Sequence, residues 1–310
     1  HINHYLDRGT NVFYGVYTAI ITPFRGGKVD EKKLEELVDL QIKAGVQGIV
    51  PCGTTGESLY LSPLEQERII KICVEVSQGK ILVLPGTGSI STEETISLTQ
   101  TAQKAGADGA VIITPWYIRP SQQSLFEHYK KINDNVDIPF IVYNNPARTG
   151  FETSIETTIK LASLKQMRGF KDCSPSLQRT SVLKQALESR LSLLSGNDDV
   201  FAAHLGMGGD GGILIAPNVV PVHFMRLMKA WETGDFDTFK ATWKQIFPLL
   251  SALSLESNPT TIKYAMSLVH GVSLEYRLPY VSLNPTTKAA IEKALQELDL
   301  WQPLRSMRES

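Results

Sequence analysis

Cysteine is scarce in this sequence and follows no pattern. The three residues, Cys52, Cys73 and Cys173, are odd in number and lack C-x-x-C spacing. Neither a disulfide framework nor a thiolate zinc site is expected, and a reducing, cytoplasmic setting fits. Long apolar runs are missing too: none approaches the roughly 18 residues of a membrane span. Charge of one sign is lacking as well. A formal net charge of -1 gives no electrostatic reason to expect nucleic acid or an anionic membrane as a partner. The six histidines (His1, His4, His128, His204, His223 and His270) are scattered without H-x-H or H-E-x-x-H spacing, so no metal site is expected. His204 and His223 read as helix-face residues rather than ligands.

What is present is ordinary globular composition, 42% hydrophobic and 20% charged over 310 residues. Residues 1–13 are polar and read as a tail. Beyond them, short runs rich in Val and Ile alternate with longer segments of helical apolar spacing. The strand candidates are 16–22, 48–52, 81–85, 110–114, 139–143, 168–171, 191–195 and 212–215. Between them, Ser62-Pro63-Leu64-Glu65 predicts a helix start with a capping box and proline at the first helical position. Ser91 with Glu94 predicts a second box, and Gly45 and Gly106 sit where helices must stop. Eight apolar runs without alternation predict a parallel sheet covered on both faces. In that length they predict a closed TM (β/α)8 barrel over residues 14–220. A doubly wound open sheet would need a glycine-rich phosphate loop after an early strand, and no good one is found. After Val220 only helices are expected, at 224–231, 236–253, 259–269 and 286–298, the third capped by Asn258. These form a C-terminal helical appendix, residues 221–310.

In such a barrel the chemistry lies at the carboxyl ends of the strands. After the second run, Gly53-Thr54-Thr55-Gly56-Glu57 offers hydroxyls and free N–H groups that could hold a carboxylate, or is a plain tight turn. After the fourth, Thr114-Pro115-Trp116-Tyr117 reads as a functional loop or as cover for the core. The fifth run ends at Tyr143, a proton donor or acceptor if it works through a relay, or a hydrogen-bonded core residue. Arg148, just beyond, could grip a carboxylate with two parallel N–H groups, or lie in a surface turn. Lys171 is the sharpest signal. Pointing outward it would bury a cation against helices at several kcal/mol. Pointing inward near the mouth it is desolvated, its amine is freed, and a neutral amine attacks a ketone to form an imine. The alternative is a buried ion pair with the adjacent Asp172. Gly196-Asn197-Asp198-Asp199 forms a polar turn after the seventh run. The glycines of 206–212 precede a strand, at the wrong face for catalysis, and read as structural.

With these segments in hand, the sequence resembles the dihydrodipicolinate synthase / N-acetylneuraminate lyase family from about Gly15 to Leu300. The motifs that carry the likeness are Gly53-Thr54-Thr55-Gly56-Glu57, Pro85-Gly86-Thr87-Gly88, Thr114-Pro115-Trp116-Tyr117-Ile118-Arg119-Pro120, Tyr143 through Gly150, Gly169-Phe170-Lys171-Asp172 and Ser195-Gly196-Asn197-Asp198. Each is weak alone; their order and spacing are specific. The resemblance implies a class I aldolase-type mechanism, with no cofactor beyond a covalent imine between pyruvate and Lys171. It implies that Tyr143 shuttles protons, with Thr54 and a neighbouring subunit's Tyr117 completing the relay. Thr55, Gly196 and the backbone near Ile213 would hold pyruvate. Arg148 would bind the carboxylate of a second substrate, L-aspartate 4-semialdehyde, in a step of lysine (diaminopimelate) biosynthesis. The implied assembly is a homotetramer of tight dimers. Cleavage of a 2-keto-3-deoxy sugar acid or of N-acetylneuraminate is the other activity the motif set allows.

Overall fold

The computed structural model describes residues 13–302. Each apolar run forms a strand, with bounds that differ from those of the run by up to four residues at an end. They are β1 (Gly15–Thr18), β2 (Gly48–Ile49), β3 (Leu82–Val83), β4 (Ala110–Ile113), β5 (Phe140–Asn144), β6 (Met167–Asp172), β7 (Ser192–Ser195) and β8 (Gly211–Leu214). All pair in parallel, in the order β3-β2-β1-β8-β7-β6-β5-β4. The two ends of that order meet just past β3. There Gly86 bridges Val111, and the Thr87 N–H donates to the Val111 carbonyl (3.1 Å), which closes the barrel.

The helices that cover it are α1 (Glu31–Ala44), α2 (Pro63–Ser77), α3 (Thr92–Lys104), α4 (Gln122–Asn133), α5 (Ile155–Leu161), α6 (Gln178–Leu187), α7 (Phe201–Gly206) and α8 (Pro221–Thr233). Three more follow, α9 (Phe236–Leu253), α10 (Thr260–His270) and α11 (Pro285–Glu297), and a single helical turn, Pro146–Thr149, lies in the loop after β5. The fold is a TM (β/α)8 barrel with a C-terminal helical appendix. The expected boundary at 220 falls between β8 and α8. α8 packs on β1 and α1 as the covering helix of the eighth β-α unit, and α9 to α11 then pack beside it. Of the expected tail, residues 1–12 lie outside the described residues, whereas Phe13 is buried. No helix of the described residues is long and apolar enough to cross a membrane.

Side-chain alternation explains why the strands read as unbroken apolar runs. Val111, Ile141 and Tyr143 face the barrel interior, while Ala110, Ile112, Phe140 and Val142 pack against helices. Both faces are dry, so both must be apolar. Phe13 and Tyr17 pack edge to face in the interior, with ring centroids 6.2 Å apart. Gly169 makes room there, since a Cβ at that position would lie 2.9 Å from Ile141 and 3.4 Å from the Phe13 ring. The interior is thus a packed core beneath the mouth, as barrels of this kind require.

Local signals met mixed outcomes. Ser62 and Glu65 form the complete capping box, with Pro63 at the first helical position, and Gly45 ends α1 in the left-handed conformation. Ser91 caps α3 through the Glu94 N–H, but Glu94's carboxylate accepts from the Ser89 hydroxyl and not from the cap backbone, so this box is half made. Asn258 does not cap α10. That helix begins at Thr260, and the Asn258 side chain turns to Thr55 instead. A small hairpin, Phe24–Arg25 with Lys28–Val29 around Gly26-Gly27, was not expected.

Candidate active site

A cavity of about 380 Å³ opens at the carboxyl ends of the strands. The strand register assembles its centre. Tyr143 on β5 and Lys171 on β6 are direct partners across the parallel ladder, so their side chains emerge on one face, and that face is the barrel interior. The Lys171 Nζ lies 3.9 Å from the centroid of the Tyr143 ring. Lys171 is 7% exposed. Among the described residues, no carboxylate comes within 4.0 Å of its amine.

The neighbouring carboxylate is engaged elsewhere. Asp172 alternates to the outer face, where it accepts from Arg179 Nε (3.0 Å), Asn144 Nδ2 (2.8 Å) and the Ser174 N–H (2.9 Å). The alternative reading of Lys171 as half of a Lys171–Asp172 pair is therefore excluded by strand parity. Burial pushes the Lys171 amine below its ordinary value. Cys173 and Asp198 pull it the other way, and the Arg148 guanidinium adds a small push downward. Burial pushes the Tyr143 phenol upward, opposed by a hydrogen bond donated from Asn145 Nδ2 (2.8 Å).

The remaining expected residues divide. Thr54, Thr55, Arg148 and Gly196 line the cavity with Tyr143 and Lys171. Gly196 has no room for a side chain, because a Cβ would sit 2.2 Å from Cys173 Sγ and 2.9 Å from Lys171 Cε. Ile213 is buried within β8, and it is Ile215, two residues on, that lines the cavity. Tyr117 does not line the cavity of its own chain. It stands 88% exposed on the loop after β4, with a positive φ, while Trp116 turns inward. Among the described residues, no group of three or more His, Cys, Asp or Glu side chains could hold a metal ion.

Residues 12–298 match the dihydrodipicolinate synthetase family. The chain belongs to that family. It is 39% identical over 289 residues to the 4-hydroxy-tetrahydrodipicolinate synthase of Syntrophus aciditrophicus, spanning 93% of this chain and 99% of that protein. Among solved structures it is similar to dihydrodipicolinate synthase from Aquifex aeolicus, with a TM-score of 0.91, 35% identity, and 94% and 100% of the two chains covered. It is also similar to a structure described as the first monomeric dihydrodipicolinate synthase variant, with a TM-score of 0.90, 37% identity, and 93% and 97% covered.

At and around the cavity, side chains also make contacts that sequence reasoning did not predict. Asn258, from the segment between α9 and α10, donates to Thr55 Oγ1 (3.0 Å), and its carbonyl accepts from Arg148 Nη2 (3.3 Å). The appendix thereby joins two cavity residues that are far apart in sequence. Asp198 accepts from the N–H groups of Ile215 (3.0 Å) and Ala216, tying the end of β7 to the end of β8. Burial pushes its carboxyl up to about 6. Glu57, at the end of the Gly53-Thr54-Thr55-Gly56 turn, pairs with Lys263 of α10 at 2.6 Å, both side chains 0% exposed. Lys263 also donates to the Glu275 carbonyl (2.7 Å) and lies 4.4 Å from the Phe24 ring centroid. A helical spacing pattern gives no warning of that pair, because its members are 206 positions apart.

Proposed function

We propose that this chain condenses pyruvate with L-aspartate 4-semialdehyde to 4-hydroxy-tetrahydrodipicolinate, in lysine biosynthesis. The observation that carries the reading is the buried Lys171 amine, without an ion-pair partner among the described residues, facing Tyr143 in the barrel mouth. In this reading the amine attacks the keto carbon of pyruvate. Water leaves as the carbon–nitrogen double bond forms, and Tyr143 moves the protons. The cationic imine then withdraws electrons, the methyl group gives up a proton, and the resulting enamine attacks the aldehyde. Closure by the semialdehyde's own amino group displaces Lys171, so the overall reaction releases one water.

Thr54, with Tyr117 of a second copy, completes the proton relay. Thr55, Gly196 and the backbone near Ile213 hold pyruvate, and Arg148 takes the carboxylate of the semialdehyde with its planar fork. The enzyme needs no cofactor beyond the imine and works in the cytoplasm as a homotetramer of tight dimers. The exposed apolar groups near the mouth, Leu59, Tyr117 and Ile118, support a contact there with another copy.

The test is reductive trapping. Pyruvate and borohydride should leave a stable adduct on the Lys171 peptide in a mass spectrum, and aspartate semialdehyde should then give product where 2-keto-3-deoxy sugar acids and N-acetylneuraminate give none. An adduct on another lysine, or turnover only with sugar acids, overturns the proposal.

A further inference from the structure

We propose that Asn145 is a positioning residue for proton transfer. Its amide holds the Tyr143 hydroxyl from one side, so that the hydroxyl's own proton is delivered into the cavity, and it fixes the Arg148 turn at the same time. The inference rests on the reading of Tyr143 as the proton shuttle.

The orientation of the amide is determined by its other end. Asn145 caps the short turn Pro146–Thr149, and its Oδ1 accepts from the Arg148 N–H (3.2 Å). The carbonyl side is thereby committed, and Nδ2 faces the Tyr143 oxygen at 2.8 Å. An amide N–H cannot accept a hydrogen bond, so the phenol oxygen must. A second donor reaches the same oxygen, the Cys173 thiol at 3.8 Å. A phenol has one proton and two lone pairs. With donors on the oxygen from Asn145 and Cys173, its proton is left to the remaining side of the oxygen, in the cavity that Tyr143 and Lys171 both line.

The same contact favours the phenolate against burial, which makes Tyr143 a readier proton donor. Charged or titratable groups around it are Lys171 and Cys173 from β6 and just beyond, and Arg148 from the turn. Asp198, from beyond β7, acts on Lys171. Asn145 therefore links the group that moves protons to the group that grips the second substrate.

Three variants test this. Asn145→Asp keeps an oxygen for the Arg148 N–H but replaces the donor facing Tyr143 with an acceptor. Asn145→Ser keeps the cap and is too short to reach Tyr143. Tyr143→Phe supplies the background in which the contact does not exist. The expected result is a fall in kcat of about tenfold or more for both Asn145 variants, within the range of proton-transfer effects. KM for both substrates should stay within about twofold. The basic limb of the kcat–pH profile should move to higher pH in Asn145→Asp. In the Tyr143→Phe background, neither Asn145 variant should lower kcat by more than about twofold. A rise in KM for the semialdehyde with an unmoved pH profile would reduce Asn145 to a structural cap and overturn the inference. So would an equal loss of kcat in the Tyr143→Phe background. Full turnover by Tyr143→Phe alone would instead sink the reading of Tyr143 on which the inference stands.

Discussion

Lys171 is 7% exposed, and burial pushes its amine below the ordinary value. The unfolded chain, with an amine near 10.4, binds the proton more tightly than the native protein does. Folding therefore carries a cost at every pH below the folded value. That cost shrinks as pH rises between the folded and unfolded values, and is gone above about 10.4. Chemistry gains what stability loses, because the neutral amine is the nucleophile. Lys171→Met should accordingly have no turnover, with a thermal midpoint at pH 7 equal to or above that of the parent. The gap between the two midpoints should narrow as pH approaches 10. Thermal scans at pH 7 and 9 check this, and a variant melting several degrees lower at pH 7 would show that the amine stabilises the fold.

At the scale of elements, the start of α2 shows how a local signal acquires a distant partner. Glu65 completes the capping box read from the sequence, and it also takes both terminal nitrogens of Arg277 (2.6 and 2.9 Å), from the segment between α10 and α11. Arg277 also donates to the carbonyls of Tyr60 (2.6 Å) and Gly27 (3.1 Å). The guanidinium holds the Glu65 carboxyl down at about 2, well under its ordinary value. A folded value below the unfolded one, near 4.3, gives stability that is full above about 4.3 and is lost as pH falls from there towards 2. Glu65→Gln should lower stability at pH 7 by about 1 kcal/mol, the size of a cap or a half-exposed ion pair. The difference should fade between pH 4 and 2, as urea midpoints across that range would show. Equal losses at pH 7 and pH 2.5 would assign the effect to packing. The box was legible because its two residues are neighbours; Arg277 was not, lying 212 positions away. The same divide runs through the fold. Eight strands were visible because both faces of each are buried and the runs are apolar, whereas the hairpin at Gly26-Gly27 joins Phe24-Arg25 to Lys28-Val29, whose exposed charged residues break any apolar run. Lys171 and Tyr143 were legible as odd residues at the ends of apolar runs. Asn145 was not singled out, and Asn258 was read only as a helix cap, because their significance lies in what they touch: Tyr143 in one case, Thr55 and Arg148 in the other.

At the scale of the whole molecule, the cavity is finished by parts that sequence order keeps apart. The buried Glu57–Lys263 pair joins the turn bearing Thr54 and Thr55 to α10, and Asn258 ties that same region to Arg148. The appendix is in this sense a wall of the site. Tyr117 remains outside that wall, 88% exposed although it stands beside the cavity-lining Trp116. If a second copy receives Tyr117, as proposed, two dead chains should make one live site. A Lys171→Ala chain still offers Tyr117 to its partner, and a Tyr117→Phe chain still has its own Lys171. Each homo-oligomer should be nearly inactive. After mixing and subunit exchange, half of the dimers are mixed, and each mixed dimer holds one complete site and one without the lysine. Activity should therefore return to about a quarter of the parent level under random pairing across a two-fold interface. Exchange is confirmed by mass spectrometry of differently tagged chains. Mixed dimers present without any return of activity would mean that Tyr117 serves no neighbouring site, and that the relay from Tyr143 ends within its own chain.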